Sequence, residues 1–131
     1  MVKIAHEKNI QVVPLVGPSS ILLALMASGF NGQNFAFNGY LPIDNADKKK
    51  TIKTLEKKSR ELKQSQIFIE TPYRNDKMLQ ELTKTLAENT RICVACDITL
   101  PTEFIATKTV KDWKNANVDL HKRPSIFIIQ A

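Results

Sequence analysis

The sequence predicts a three-layer αβα sandwich built around a mixed sheet of about five strands. Three observations lead there. Short β-branched or apolar runs alternate along the chain with stretches of helical periodicity. Several of those runs are apolar at nearly every position, as in strands covered on both faces. The length, 131 residues, is enough for one domain and too short for two.

Each element follows from local chemistry. Residues 2–8 read as the tail of a helix with no N-cap residue before it, and Asn9 suits its C-cap. The β-branched run 10–16 predicts a buried strand, broken at Gly17-Pro18-Ser19-Ser20, where either serine suits the cap of the next helix. That helix, 21–27, is apolar all round and is expected to be buried on most sides, with Gly29 ending it. Residues 35–41 alternate aromatic with small side chains and predict a strand or extended edge, closed by Pro42. Asp44 to Asp47 offer caps for a basic helix whose Ile52, Leu55 and Leu62 form a narrow apolar stripe.

Farther along, 66–70 is a strand that Thr71-Pro72 stops, because the residue before a proline avoids helical geometry. Met78, Leu79, Leu82 and Leu86 give the next helix a buried face. Strands follow at 91–97, 104–108 and 125–130, with a helical turn at 110–114. No internal repeat or low-complexity linker interrupts this order.

Composition narrows the class. Hydrophobic residues make up 43% and charged residues 24%, the balance of a packed domain and not of a disordered chain. No run approaches the roughly 18 to 20 apolar residues of a membrane span, and residues 1–8 lack a signal peptide's apolar stretch. Two cysteines make no disulfide framework, so a cytoplasmic location is expected.

Charge is unevenly distributed. Residues 48–63 carry eight basic side chains against Glu56 and Glu61, which accounts for the whole net charge of +6. Such a segment is either a solvated helix face or a docking surface for phosphate-rich RNA, with Lys49, Lys53 and Lys57 as its candidate contacts. Aromatic residues are not interleaved there, so base stacking on this helix is not expected.

The chemistry-bearing motifs are few. Cys93-Val94-Ala95-Cys96 has thioredoxin-like spacing, but it lies within a predicted strand, where positions three apart face opposite sides. Buried packing is therefore expected of both thiols. His6 and His121 have no ligand-type partners at metal spacing, and no metal is expected. What remains is a set of strand ends: Leu15 to Ser20, Ile69 to Arg74, Asp97 to Thr99, and Arg123 to Ser125. In open α/β sheets ligands sit outside strand ends, so these segments are either capped turns or the walls of one crevice.

Four segments, in order, resemble a known family: Val12-Val-Pro-Leu-Val-Gly-Pro-Ser-Ser-Ile21, Ala27-Ser-Gly-Phe30, Phe37-Asn-Gly-Tyr-Leu-Pro42 and Phe68-Ile-Glu-Thr-Pro-Tyr-Arg74. The chain resembles the tetrapyrrole methylase superfamily of S-adenosylmethionine-dependent enzymes from about Lys3 onward. Within it, the chain is most similar to the branch that methylates a ribose 2′-hydroxyl of 16S ribosomal RNA. The resemblance implies two α/β domains with the cofactor between them, of which this chain matches the second. It thus implies a C-terminal half, inactive alone, with the junction at Met1.

The same resemblance implies roles. Glu70, Thr71, Pro72 and Tyr73 would lie along S-adenosylmethionine, and Pro124-Ser125 would face its adenine. Gly17, Pro18, Ser19 and Ser20, with Arg74, Thr99 and Glu103, would lie on the methyl-acceptor side. The implied partners are 16S rRNA or the small ribosomal subunit, and a second copy in a homodimer. Cys96-Asp97-Ile98-Thr99-Leu100 stands where the family has R-E-L-T-K, Lys122-Arg123-Pro124 where it has K-G-E, and Tyr73 where it has histidine. Pro124-Ser125 is similar to the corresponding step of enzymes that methylate corrin or porphyrin precursors. A tetrapyrrole acceptor and a non-catalytic RNA-docking domain are therefore the alternative expectations.

Overall fold

The computed structural model describes residues 1–131 and contains helices α1 (Val2–Glu7), α2 (Ser20–Ser28), α3 (Asn45–Leu62), α4 (Asn75–Thr85) and α5 (Val110–Trp113). Its five strands are β1 (Phe35–Tyr40), β2 (Ser65–Ile69), β3 (Arg91–Cys96), β4 (Phe104–Thr109) and β5 (Ser125–Gln130). They form one sheet in the order β1-β2-β5-β3-β4. The α3 crossover makes β1 and β2 parallel, whereas β5 runs antiparallel to both β2 and β3, and β4 antiparallel to β3. The sheet is mixed, and β5, the last strand in the sequence, is its centre.

Strand alternation sends side chains to two cores. Phe68, Ile92, Val94, Cys96, Phe127 and Ile129 meet Ile52 and Leu55 of α3, Met78 and Leu82 of α4, and Val110 and Trp113 of α5. Ile67, Cys93, Ala95, Ile126 and Ile128 meet Ala24 and Leu25 of α2 on the other face. Phe68 and Phe127 stack with ring centroids 5.9 Å apart, and the Trp113 indole N–H donates to the Ile92 carbonyl at 2.8 Å. Both cysteines are buried and free, one facing each core, as their spacing in a strand predicts.

The capping residues act largely where expected. Asp44 accepts from the Asp47 backbone N–H at the start of α3, and Gly29 ends α2 in the left-handed region with φ 77°. Gly39 also has positive φ, 64°, where the β1–β2 register breaks between Phe37 and Tyr40. Ser19 occupies the N-cap position of α2, but its side chain makes no capping bond.

Three expectations are corrected. Residues 10–16 form no strand: they have no sheet partner, and Ile10, Val12, Val13, Leu15 and Val16 are exposed. A β-branched run signals apolar surface but does not supply a neighbour to pair with. Helix α2 buries one face only, leaving Leu22 and Met26 in solvent, because no further layer packs over it. Leu62 is exposed in the last turn of α3, and the inward stripe is instead Lys48, Ile52, Leu55 and Ser59. Ser59 belongs there because its Oγ accepts from the Ala131 backbone N–H at 2.9 Å.

Candidate functional site

Strands β1, β2 and β3 point their C-terminal ends to one side, where β5 begins and α2 has its N-terminus. A crevice of about 400 Å³ opens there. It is lined by Ser20, Tyr40, Ile69, Glu70, Pro72, Ala95, Asp97, Ile98, Leu100, Pro124, Ser125 and Ile126. The lining pairs apolar side chains with hydroxyl and carboxylate groups, and no lysine, arginine or histidine is among them.

Two ion pairs fix its carboxylates. Glu70, at the end of β2, turns Oε1 onto the Thr71 backbone N–H at 2.8 Å, and its Oε2 lies 3.5 Å from the Lys48 ammonium. Lys48 is only 5% exposed and also lies 3.4 Å from Glu81 Oε2 on α4. So Lys48 is withdrawn from the basic helix surface and ties α3, the β2 end and α4 together. Asp97, at the end of β3, accepts from Arg123 Nε at 2.8 Å and from the Thr102 hydroxyl at 2.9 Å. Those hydrogen bonds hold the Asp97 carboxyl below its usual range, and the same pairing raises the Arg123 guanidinium. Burial pushes the Cys96 and Cys93 thiols up, which leaves them unreactive.

The rim is stapled from several directions. Arg123 also donates to the carbonyls of Asp119 and Thr102, both at 2.7 Å. Buried Asn75 donates to the Arg123 carbonyl at 2.6 Å, Asp76 accepts from the Leu120 N–H, and Lys122 N–H donates to the Pro72 carbonyl. Three rim residues that are not glycine have left-handed backbones: Asp97 (φ 49°), Thr99 (φ 70°) and Lys122 (φ 56°). For β-branched Thr99 this conformation is strained, and a hydrogen bond from its N–H to Glu103 Oε1 at 2.8 Å holds it.

Of the residues expected from sequence, Ser20, Glu70, Pro72, Pro124 and Ser125 line the crevice. Thr71 and Arg74 line an adjoining cleft that shares Tyr40 and Glu70. Gly17, Pro18, Ser19 and Tyr73 line neither, and Thr99 and Glu103 pair with each other on the rim. Tyr40, Ile69, Ala95, Asp97, Ile98, Leu100 and Ile126 complete the wall, and the family resemblance assigns no role to any of them. The available signal is position at a strand end, which Asp97 and Ile98 carry and which Tyr40, the last residue of β1, carries just after a glycine bulge. No group of three or more His, Cys, Asp or Glu side chains is arranged to hold a metal ion.

The basic helix keeps Lys49, Lys50, Lys53, Lys57, Lys58, Arg60 and Lys63 exposed. Of its two internal glutamates, Glu56 turns inward to accept from Ala87 N–H and the Thr90 hydroxyl, which leaves Glu61, 3.9 Å from Lys57, and Asp47 in the first turn as the exposed anions of the helix. No helix is long and apolar enough to cross a membrane.

Known proteins are similar to this chain in sequence or in fold. Over 124 residues, 92% of its length, the chain is 29% identical to ribosomal RNA small subunit methyltransferase I of Buchnera aphidicola subsp. Schizaphis graminum, covering 42% of that protein. It is 27% identical over 133 residues to the protein of the same name from Escherichia coli O157:H7, 99% of this chain and 45% of that one. Among solved structures, the fold superposes with a TM-score of 0.58 on a cobalt precorrin-4 methyltransferase of cobalamin biosynthesis, at 15% identity, over 98% of this chain and 56% of that one. The methyltransferase CobJ gives 0.57 at 18% identity, over 96% and 54%. The chain is thus similar in sequence to proteins named for small-subunit rRNA methylation and shares its fold with these solved methyltransferases. No family model matches it. It spans less than half the length of these two rRNA methyltransferases and a little over half of the two solved methyltransferase chains.

Proposed function

We propose that this chain is the C-terminal half of an S-adenosylmethionine-dependent methyltransferase acting on small-subunit ribosomal RNA, with a ribose 2′-hydroxyl as the acceptor. One observation carries the reading: the crevice outside the strand ends is largely apolar, with the ion-paired carboxylates of Glu70 and Asp97 on its wall and no basic side chain in its lining. That donor set fits a ligand with a neutral purine and a positive sulfonium, and it does not fit a polyphosphate. The relatives named for rRNA methylation support the acceptor class.

When bound, the cofactor supplies an electrophilic methyl group on sulfonium. Glu70, Thr71, Pro72 and Tyr73 would run along it, and the Pro124-Ser125 backbone would meet its adenine. The chain's contribution is orientation: Lys48 and Arg123 hold both wall carboxylates in place before any ligand arrives. Gly17, Pro18, Ser19 and Ser20, with Arg74, Thr99 and Glu103, would face the acceptor, and Lys49, Lys53 and Lys57 would take RNA phosphates. Deprotonating a hydroxyl calls for a base, to which no residue of this chain is assigned. The exposed apolar run 10–16, with Leu22 and Met26, supports burial against an N-terminal domain or a second copy in a homodimer.

Calorimetric titration of S-adenosylhomocysteine into this chain and into the full-length gene product tests the reading. Binding to the longer protein alone is expected, with tritiated methyl transfer to undermethylated small-subunit rRNA. Transfer to a corrin or porphyrin precursor instead would establish that acceptor, and binding to neither protein would leave an RNA-docking domain.

A further inference from the structure

The crevice wall has a second side. Beyond Tyr40 and Glu70 lies a cleft of about 530 Å³ lined by Leu41, Pro42, Ile43, Thr71 and Arg74. It adjoins a smaller one that shares Ile43 and Arg74 and ends at Asp44, Lys48 and Lys77. The Tyr40 ring, 65% exposed, stands between crevice and cleft and packs into neither core. Arg74 has no acidic partner within 4.0 Å, and its guanidinium lies over the exposed Tyr73 ring, 5.3 Å from the centroid. The acidic groups nearby are already engaged, Glu70 by Lys48 and Asp44 by the Asp47 N–H.

We infer that this cleft is a binding subsite for one unstacked nucleotide of a single-stranded RNA, the neighbour of the nucleotide that enters the crevice. The inference rests on the RNA reading above and adds residues to it. Single-stranded RNA is held by stacking bases on aromatic rings and guanidinium planes and by pairing phosphates with cations. Tyr40 supplies the ring, Ile43 the apolar floor and Arg74 the unpaired cation. From here the exposed lysines of α3 begin, at Lys49 and Lys50, so one strand meets stacking groups first and a phosphate track second. An apolar platform without Arg74 would serve any flat ligand; the unpaired guanidinium selects an anionic one.

Fluorescence anisotropy of a short labelled single-stranded RNA, titrated with the full-length gene product without cofactor, tests the subsite. Tyr40→Ala should weaken binding about tenfold without altering its salt dependence, and Tyr40→Phe should retain it. Arg74→Gln should weaken binding and flatten the salt dependence by about one phosphate. Ile43→Glu, on an exposed side chain with no folding role, gives an independent loss if Tyr40→Ala does not fold. Wild-type affinity in both Tyr40→Ala and Ile43→Glu would overturn the subsite while the RNA reading stands. A wild-type protein that binds no RNA and methylates no rRNA would remove that reading and the subsite with it. Calorimetry should give Ile43→Glu, outside the crevice lining, the wild-type affinity for S-adenosylhomocysteine; a loss in Tyr40→Ala confined to that ligand, with RNA binding intact, would assign Tyr40 to the cofactor instead.

Discussion

Asp97 and Arg123 close the crevice rim with a 2.8 Å ion pair whose guanidinium also donates to two backbone carbonyls, those of Asp119 and Thr102. One side chain thus fixes the loop after β3 against the loop before β5. Asp97 carries a depressed folded-state value, so its contribution is fully present above the ordinary 3.8 and is lost as pH falls through the lower folded value. Asp97→Asn should therefore be destabilised at neutral pH, with the gap to wild type narrowing as pH falls below about 4. Urea unfolding across that range reads it. A gap that stays constant with pH would detach the pair from rim stability.

Lys48 is the opposite kind of pair, buried between two carboxylates. Removing one partner of a buried ion group strands the others, at a cost of about 3 to 5 kcal/mol. Lys48→Met should lose stability on that scale, and adding Glu70→Gln and Glu81→Gln to it should recover most of the loss. A triple variant as unstable as the single one would show that Lys48 acts through packing of its stem.

The exposed cations of α3 should be separable from folding. Changing Lys49, Lys53 and Lys57 to Glu alters no buried side chain, so the melting temperature should move by only a few degrees. RNA affinity of the full-length protein should collapse. Its salt slope should flatten by about 0.7 to 0.9 for each phosphate that the variant no longer neutralises. Retained affinity would restore the solvated-face reading of this helix.

Phe127 stacks on Phe68 at the centre of the larger core, and both are fully buried. Phe127→Ala should cost about 3 to 5 kcal/mol, read by chemical denaturation. Cys93 and Cys96 should resist alkylation in the native state and react together on unfolding, because burial raises both thiols and covers them. Rapid native labelling of either would place it at a surface.

Much of this architecture is readable from local patterns. Five strands and the caps at Asp44 and Gly29 follow from alternation and turn chemistry, which act within a few residues. The run 10–16 misleads because β-branched character reports apolar surface and not what covers it. Lys48 reads from sequence like the solvent-facing cations around it, because only β2 and α4, remote along the chain, distinguish it. The crevice is half visible: Glu70, Pro72, Pro124 and Ser125 sit at strand ends that sequence marks, whereas Tyr40 and Leu100 join the wall through sheet order.

Sheet order also has a consequence for how the chain is made. Synthesis delivers β1 and β2, then β3 and β4, as two separate two-stranded pieces, and the strand that joins them is the last of the five to be made. Two-stranded pieces are marginal in water, so each waits with one edge open until β5 inserts between them. Folding of this domain is therefore expected to be a late, nonlocal event, slow for its size and vulnerable to aggregation until residue 130 has been added.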